Sequence, residues 1–420
     1  MSASDANVDF DASAIAPVRC GTPAMDALLA AIGESATASK AAGENPFPAI
    51  ALARDARLGA IRVPADDGGG GCTVPEFFAM LIDLAAADSD VAQILRSHFW
   101  FIETQMRAPD ETVRRRWLER AVAGEIFGNA VTEIGSEDPI GSYVLQTRLD
   151  PVDDGYVLNG TKYFCTGSLF SDWVLVLAST PEGDLASVLV PCDREGVTLE
   201  DDWDGVGQRF TASGTGRFEE VAVAEEEVLR NPASSDSAAD DPPLPTDSYI
   251  AAQFLQLILT AIVVGNMRNV VADGIRLVRT RKRTFTHASA DTIAADPQFQ
   301  EMIGRLSSST LAAEAIVLTA AEAQGHALAS DKSGERDFEL AHHASLLSAQ
   351  AKVFVDEIAP RAASLMYELG GASATVRTTK LDEHWRNIVT LSAHNPAAFK
   401  ARAIGDYLVN GTELPANLYF

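Results

Sequence analysis

His394 combines a reactive side chain with a position suited to chemistry. It directly precedes Asn395 and Pro396, a pair that predicts the start of a helix, with Asn at the N-cap and Pro at the first helical position. An imidazole at the positive end of a helix dipole can stabilise an anion by hydrogen bonding. The alternative is a solvent-exposed loop histidine or a local cap.

Three neutral polar residues, Asn129, Thr132 and Thr166, lie among short β-strand patterns. Amides and hydroxyls donate and accept hydrogen bonds without adding charge, which suits them to the edge of a redox-active ring. The alternative for Asn129 and Thr132 is an ordinary place at the start of a strand. Cys165, beside Thr166, is typical of a small buried hydrophobic residue and not of a nucleophile, since no histidine is near it in sequence.

The densest basic run of the chain consists of Arg279, Arg281, Lys282 and Arg283. It stands out because the chain has 59 Asp and Glu against 33 Lys and Arg, a formal net charge of -26. A guanidinium group can bind a phosphate monoester through two parallel hydrogen bonds. The alternative is a solvated helix face.

Hydrophobic periodicity divides the chain into parts that would position these residues. Near the N-terminus apolar residues recur at helical steps, as at Phe77, Leu81 and Leu84. The period then falls to two, and Asn159-Gly160 is a hairpin signal that, with several short strands, favours a compact sandwich or barrel. A stretch rich in Pro, Ser, Ala and Asp precedes a return of long amphipathic helices. The predicted parts are a helical domain over 1–125, a β-barrel over 126–230, a linker over 231–247 and a helical bundle over 248–420.

The longest predicted helix lies late in the bundle. Its apolar face runs from Leu346 to Leu369, with a kink near Pro360 and a C-cap at Gly370-Gly371. Such a helix needs partners along its whole length, which indicates an antiparallel four-helix bundle. The fold class is therefore α+β with several domains.

Composition excludes several classes of function. A strongly negative surface repels phosphate groups, so neither nucleic acid nor an anionic membrane is an expected partner. The acidity is typical of a solubility adaptation, such as that of a salt-rich cytoplasm. The longest apolar stretch, Leu257 to Gly265, is about half of a membrane span. Residues 1–17 contain no basic residue, unlike a secretory signal, so we expect a cytoplasmic protein.

The spacing of the four cysteines indicates neither a disulfide nor a metal site. They are far apart, and none has a histidine at metal-ligand spacing. Neither a disulfide nor a metal site is expected from Cys20, Cys72, Cys165 and Cys192.

Several segments occur in a specific order along the chain. Leu58–Gly71, Ala130–Ser136 and Asn159–Gly167 are similar to the glycine-rich loop and two flavin-facing segments of the acyl-CoA dehydrogenase superfamily. Further segments resemble its monooxygenase branch, which contains dibenzothiophene monooxygenase and the sulfur-acquisition oxidoreductases. These segments are Asp201–Gly214, Arg279–Arg283, Glu368–Ala374, Asp382–Asn387 and His394–Pro396. The resemblance covers about Leu58 to Pro415.

The resemblance implies a cofactor and a chemistry. The cofactor would be FMN, delivered reduced by a separate NAD(P)H-dependent flavin reductase, with FAD as the alternative. O₂ would form a flavin C4a-hydroperoxide that oxygenates a small apolar, in this branch organosulfur, substrate. Water and stray protons would release hydrogen peroxide instead, so a dry pocket and a few positioned donors are required. A homotetramer is also implied.

The resemblance also assigns roles to residues. His394 would stabilise the peroxide, Thr166 would lie near the flavin N5/C4a edge, and His98, in an aromatic segment, would line the substrate cavity. For His98 the alternative is a place in an aromatic core. Arg283 would bind the FMN phosphate, reached across a subunit interface. The predicted catalytic residues are His394, Thr166 and His98, and the predicted cofactor site comprises Asn129, Thr132, Cys165, Thr166, Arg279, Arg283, Gly370, Gly371, Ala372 and His394.

Two other functions stay open. An FAD-dependent acyl-CoA dehydrogenase needs a carboxylate base beside the flavin. The superfamily's late Tyr-Glu-Gly segment is absent, and the matching region reads Val389-Thr-Leu-Ser-Ala-His394. Another helix can supply the base, so this lowers the dehydrogenase hypothesis without excluding it. A catalytically silent flavin-binding scaffold is the third hypothesis.

Overall fold

Contacts within the chain group it into two compact units. The structure is a computed structural model that describes residues 17–135, 145–229, 246–330, 337–417 and 420. The described residues of the first unit belong to the ranges 1–80, 94–203 and 210–242, and those of the second to 81–93, 204–209 and 243–420. The division into three domains stays a prediction, and its linker over 231–247 lies almost entirely outside the described residues.

Helices fill the N-terminal part of the chain, as the periodicity predicts. Asp110 caps the sixth helix by accepting a hydrogen bond from Thr112 N at 2.8 Å. Asp88 lies between the third and the fourth helix, and its Oδ1 accepts a hydrogen bond from Val91 N, in the first turn of the fourth helix, at 3.0 Å. The helices are α1 (Pro23–Ala42), α2 (Phe47–Asp55), α3 (Val74–Ala87), α4 (Ser89–Ile94), α5 (Arg96–Gln105) and α6 (Glu111–Val122).

One sheet of short strands follows. The strands are β1 (Phe127–Ala130), β2 (Arg148–Val152), β3 (Gly155–Lys162), β4 (Trp173–Ser179), β5 (Leu185–Pro191), β6 (Val197–Leu199), β7 (Gly216–Val223) and β8 (Val228–Leu229). Their order is β6-β7-β3-β2-β4-β5-β8, with β1 parallel to β4. Alternate residues of β4 and β5, including Val174, Val176, Val188 and Val190, form its core.

The order of helices, sheet and helices confirms the predicted fold class. The β part differs from a closed barrel in one respect. Among the described strands, the two ends of the order, β6 and β8, do not pair with each other. β6 has three residues and β8 has two, so neither offers a ladder long enough to close the sheet.

The hairpin predicted at Asn159-Gly160 is wrong. β3 runs through both residues, and the turn lies at 153–154, between β2 and β3. The register with β7 shifts here, and Asn159 fills the irregularity by accepting a hydrogen bond from Glu220 N and donating one to its Oε1, both at 2.8 Å. Gly160 is required because a Cβ would lie 2.4 Å from Thr147 Oγ1.

Three long helices and two shorter ones build the C-terminal part. They are α7 (Thr246–Thr280), α8 (Pro297–Ala329), α9 (Phe338–Gly370), α10 (Asp382–Ser392) and α11 (Ala397–Asn410). The fourth place of the predicted bundle is filled by α10 and α11, which pack on α7 and α9. α9 continues through Pro360, and Gly371 with a φ of 58° is its C-cap, as predicted.

α7 is long and apolar enough to cross a membrane by length and composition. Its most apolar stretch is 89% buried inside the bundle. It is therefore the core helix of this unit.

Cys20 and Cys72 form a disulfide, with their Cα atoms 6.1 Å apart. The expectation of no disulfide is wrong for this pair. It rested on their separation of 52 residues, which the fold closes just before α3 begins. Disulfides are rare in cytosolic proteins, so this pair is an unusual feature for the expected compartment.

Candidate functional site

β1 with the residues that follow it, and the loop after β3, bring the predicted neutral polar residues together. Thr132 forms an antiparallel bridge with Tyr163, whose N–H donates to Thr132 O at 2.8 Å. Ser168 Oγ donates to Asn129 O at 3.0 Å. Asn129 and Thr132 on one segment and Thr166 on the other are therefore brought together where β1 and β3 end.

Asn129 is oriented by a buried residue of α5. Ser97 Oγ donates a hydrogen bond to Asn129 Oδ1. An amide has an oxygen acceptor and two N–H donors. The bond from Ser97 fixes the orientation of the amide, and its nitrogen is the group with which Asn129 can donate to a ligand.

Thr166 begins a chain of three hydroxyl groups. Thr166 Oγ1 lies 2.8 Å from Ser213 Oγ, which lies 2.7 Å from Thr211 Oγ1. All three side chains are buried. Ser213 has no predicted role, because a single serine in a loop has no spacing signal.

The two loops that carry this chain are strained. Phe164 has a φ of 56° and Ala212 a φ of 44°, a region that residues other than glycine rarely adopt. Cys165 N donates to Gly214 O at 3.0 Å and ties one loop to the other. Phe164 is 48% exposed and packs edge-on against Trp203, with ring centroids 6.0 Å apart. The hydroxyl chain thus lies beside a partly exposed aromatic pair.

Cys165 points its side chain into the sheet. It is 2% exposed and belongs to the cluster that includes Val174 and Phe218. Burial raises the pKa of its thiol to about 12, so the thiol is neutral. The thiol therefore packs in the core, as the sequence indicates, and the place of Cys165 in the cofactor site stays a prediction.

A buried ion pair holds the segment that contains Thr132. Lys162 Nζ lies 2.7 Å from Glu133 Oε1 and donates to Val131 O at 3.3 Å. Glu133 also accepts hydrogen bonds from Gln146 N at 2.7 Å and Thr147 N at 2.9 Å. Burial alone would raise the pKa of Glu133, but these hydrogen bonds outweigh it and hold the pKa below its ordinary value. Lys162 was missed by sequence reasoning, although it lies in the family-like segment Asn159–Gly167.

His98 is a core residue. It is 0% exposed, its ring stacks on that of Phe127 with centroids 5.7 Å apart, and its Nδ1 accepts a hydrogen bond from Phe127 N at 3.2 Å. Burial lowers its pKa to about 4, so the imidazole is neutral at pH 7. The structure favours the aromatic-core alternative over the catalytic role predicted for His98.

In the second unit, Arg281 of the basic run contacts the end of α9. Arg281 Nη1 donates to Leu369 O at 3.2 Å, and its guanidinium lies 5.7 Å from the ring centroid of Phe285 and 5.9 Å from that of Phe299. Arg281 therefore fixes the helix end.

Gly371 follows this helix end. A Cβ there would lie 3.2 Å from Arg281 Nη2, and the backbone has a positive φ, so glycine is required. Gly370 is buried and Ala372 is exposed. Their approach to a cofactor stays a prediction.

Arg279 and Arg283 are exposed at the end of α7 and just beyond it. Neither forms an ion pair with a residue that the structure describes. Their predicted role as phosphate ligands stays a prediction.

His394 is exposed in the turn between α10 and α11. The predicted cap is wrong in detail, because α11 has Pro396 as its N-cap and no side-chain cap. Asn395 is instead buried, and its Nδ2 donates to Gln256 Oε1 of α7 at 3.1 Å. A contact with α7 therefore anchors the turn that carries His394.

Two family models match the sequence. The model of the acyl-CoA dehydrogenase middle domain matches residues 129–221, and that of the acyl-CoA dehydrogenase C-terminal domain matches residues 257–399. Together they span more than half of the chain. The chain belongs to the acyl-CoA dehydrogenase family. The resemblance drawn from the sequence is thus confirmed at family level.

Within this family the chain is similar to flavin monooxygenases. A dibenzothiophene monooxygenase of Mycolicibacterium goodii is 28% identical over 381 residues, covering 85% of this chain and 86% of that protein. A probable FMNH2-dependent monooxygenase of Pseudomonas putida, SfnC, is 26% identical over 381 residues, covering 87% of this chain and 89% of that protein. The crystal structure of FMN-bound TdsC from Paenibacillus sp. A11-2 has a TM-score of 0.84 and 25% identity, covering 94% of this chain and 99% of that one. The resemblance to the monooxygenase branch is confirmed.

Proposed function

We propose that this member of the acyl-CoA dehydrogenase family is a monooxygenase that uses reduced FMN and O₂ to oxygenate a small apolar, organosulfur substrate. The observation that supports it is the neutrality of the polar groups gathered where β1 and β3 end. Asn129, Thr132 and Thr166 supply an amide and two hydroxyls, and the neighbouring carboxylate, Glu133, is held by Lys162. A dehydrogenase would also need a carboxylate free to act as a base, a role for which the paired Glu133 is poorly suited.

FMN fits this donor set. The flavin supplies the electrons that activate O₂. Asn129 donates through its amide nitrogen to the ring, and the hydroxyls of Thr132 and Thr166 bind its polar edge. Arg283, with Arg279, binds the phosphate monoester, a group that FMN has and that FAD lacks. FAD is the alternative cofactor.

The remaining residues exclude water from the site and stabilise the negative charge that develops there. Phe164 and Trp203 provide apolar walls beside the hydroxyl chain. His394 donates a hydrogen bond to the anion that forms as O₂ is reduced, and Gly370, Gly371 and Ala372 leave room for the cofactor. His98 is omitted from this catalytic set because it is buried.

The proposed assembly has partners. A separate NAD(P)H-dependent flavin reductase supplies reduced FMN, since the sequence contains no nicotinamide-binding motif of the Gly-x-Gly-x-x-Gly type after a predicted strand. A homotetramer in which Arg283 reaches the phosphate across an interface stays a prediction, as does the cytoplasmic location.

The test combines the purified protein with FMN, NADH, a flavin reductase and air, and offers a panel of sulfides, sulfones and thiophenes. We expect an oxygenated product, detected by mass spectrometry, only when the reductase is present. Bleaching of bound FAD by an acyl-CoA, without product from any compound of the panel, would instead identify a dehydrogenase. Silence in both assays, with flavin still bound, would favour a flavin-binding scaffold.

A further inference from the structure

Ser213 is the middle member of the hydroxyl chain. Its Oγ lies 2.8 Å from Thr166 Oγ1 and 2.7 Å from Thr211 Oγ1, both within the range of O–H···O hydrogen bonds. The other acceptor near Thr166 Oγ1 is Phe164 O at 3.5 Å, which is too long for a good hydrogen bond. Ser213 therefore decides which way the Thr166 hydroxyl points.

The chain can run in two directions with the same heavy-atom positions. A hydroxyl donates one hydrogen bond and accepts others. If Thr166 donates to Ser213 and Ser213 to Thr211, the Thr166 oxygen is left to accept a hydrogen bond. If Thr211 donates to Ser213 and Ser213 to Thr166, the Thr166 proton is left to donate. Switching between the two directions rotates the hydroxyl hydrogens and transfers no net proton.

The N5 atom of a flavin ring needs a hydrogen-bond donor in one oxidation state and a hydrogen-bond acceptor in the other. N5 of the oxidised ring carries a lone pair and accepts a hydrogen bond, whereas N5 of the reduced ring carries a proton and donates one. We propose that Ser213 is a positioning residue that reverses the Thr166 hydroxyl to match the oxidation state of the flavin. This rests on the proposed function, which places Thr166 at the N5 edge.

The buried setting supports a fixed chain. Ser213 and Thr166 are each 8% exposed and Thr211 is 0% exposed, so bulk water does not readily replace a lost member. The bond from Gly167 N to Thr211 O at 3.1 Å keeps the two loops in register. Removing the Ser213 hydroxyl therefore leaves Thr166 without a well-placed internal acceptor.

The test measures the dissociation constants of oxidised and reduced FMN, the latter under anaerobic conditions. In Ser213→Ala the Thr166 proton has no good internal acceptor, so reduced FMN should bind about tenfold more weakly while oxidised FMN is unchanged. A tenfold rise in the dissociation constant of reduced FMN, relative to that of oxidised FMN, lowers the two-electron midpoint potential of the bound flavin by about 30 mV. Ser213→Thr restores the hydroxyl and should restore the ratio.

Two further variants complete the experiment. Ser171→Ala is the matched control, because Ser171 Oγ donates to Gly167 O at 2.9 Å in the same loop but does not belong to the hydroxyl chain. The ratio of its dissociation constants for reduced and oxidised FMN should equal that of the wild type. Thr166→Val should weaken binding of both forms of FMN. If Thr166→Val changes neither constant, the placement of Thr166 at the ring fails. If it changes both while Ser213→Ala leaves the ratio unaltered, only the role of Ser213 is overturned.

Discussion

At the scale of single residues, His394 is the proposed donor to reduced oxygen. Replacing it with Ala should leave FMN binding intact, because the proposed ring and phosphate contacts come from other residues. A preorganised donor to a developing anion is typically worth a factor of about 10² to 10³ in rate, so product formation should fall by about that range. Oxygen consumption should instead appear as free hydrogen peroxide.

The measurement is the ratio of oxygenated product to hydrogen peroxide per NADH consumed. His343→Ala is the control, since His343 is also exposed but lies on α9. An unchanged ratio in His394→Ala would remove His394 from the catalytic set.

Arg283 is the proposed phosphate ligand. Arg283→Ala should weaken FMN binding by about 1–3 kcal/mol, the usual size of a charge-assisted hydrogen bond. Fluorescence titration with FMN measures it. Arg305→Ala is the control, because Arg305 is an exposed arginine paired only along its own helix with Glu301 at 2.7 Å. Equal dissociation constants for the two variants would contradict the assignment.

At the scale of elements, the Lys162–Glu133 pair holds the segment after β1 to β3. Lys162→Met leaves a buried carboxylate without its cation, which typically costs about 3–5 kcal/mol of unfolding free energy. Because the pKa of Glu133 is held below its ordinary value of 4.5, this contribution is present above that pH and is lost as the pH falls further.

Urea unfolding near pH 7 measures the cost. Arg217→Ala is the control, since Arg217 and Glu200 form an exposed pair at 2.6 Å, which should contribute less than about 1 kcal/mol. If Lys162→Met and Arg217→Ala lose the same small amount, the pair does not hold this edge.

Much of the element order could be predicted from sequence, because periods of 3.6 and 2 report which face is buried. Local turn chemistry was less reliable. Asn159-Gly160 has the composition of a turn, yet pairing with β7 keeps it inside β3. Asn395 has the composition of a cap, yet α7 offers Gln256 as a partner. In both cases a contact distant in sequence outweighs the local preference.

The site shows the same limit. Asn129, Thr132 and Thr166 could be picked out by their neutral chemistry and family-like segments. Ser213 could not, because its role depends on a loop 47 residues away from Thr166. Other family-like residues prove to be structural: Asn387 Oδ1 accepts a hydrogen bond from Gln208 N at 2.7 Å and so holds a distant loop.

At the scale of the whole molecule, the buried His98 makes stability depend on pH. Its pKa is about 4 in the folded chain against an ordinary value of 6.5. Between these values the unfolded chain binds more protons, so the free energy of unfolding falls on acidification from pH 6.5 to 4, by about 3 kcal/mol from this group.

Urea unfolding at pH 7 and pH 5 measures this dependence. His98→Asn keeps an acceptor for the Phe127 N–H but does not titrate, so its loss of stability between the two pH values should be smaller than that of the wild type. An identical loss would show that His98 is not buried in the neutral form.

If reduced FMN and O₂ oxygenate the substrate, the oxygen atom added to the product comes from O₂. The most direct measurement is the reaction under ¹⁸O₂ in ordinary water, with FMN, NADH, a flavin reductase and the best compound of the organosulfur panel. We predict one ¹⁸O atom in the product for each oxygenation. A product whose added oxygen comes from water, or NADH-driven peroxide formation without any labelled product, would rule out this monooxygenase reaction.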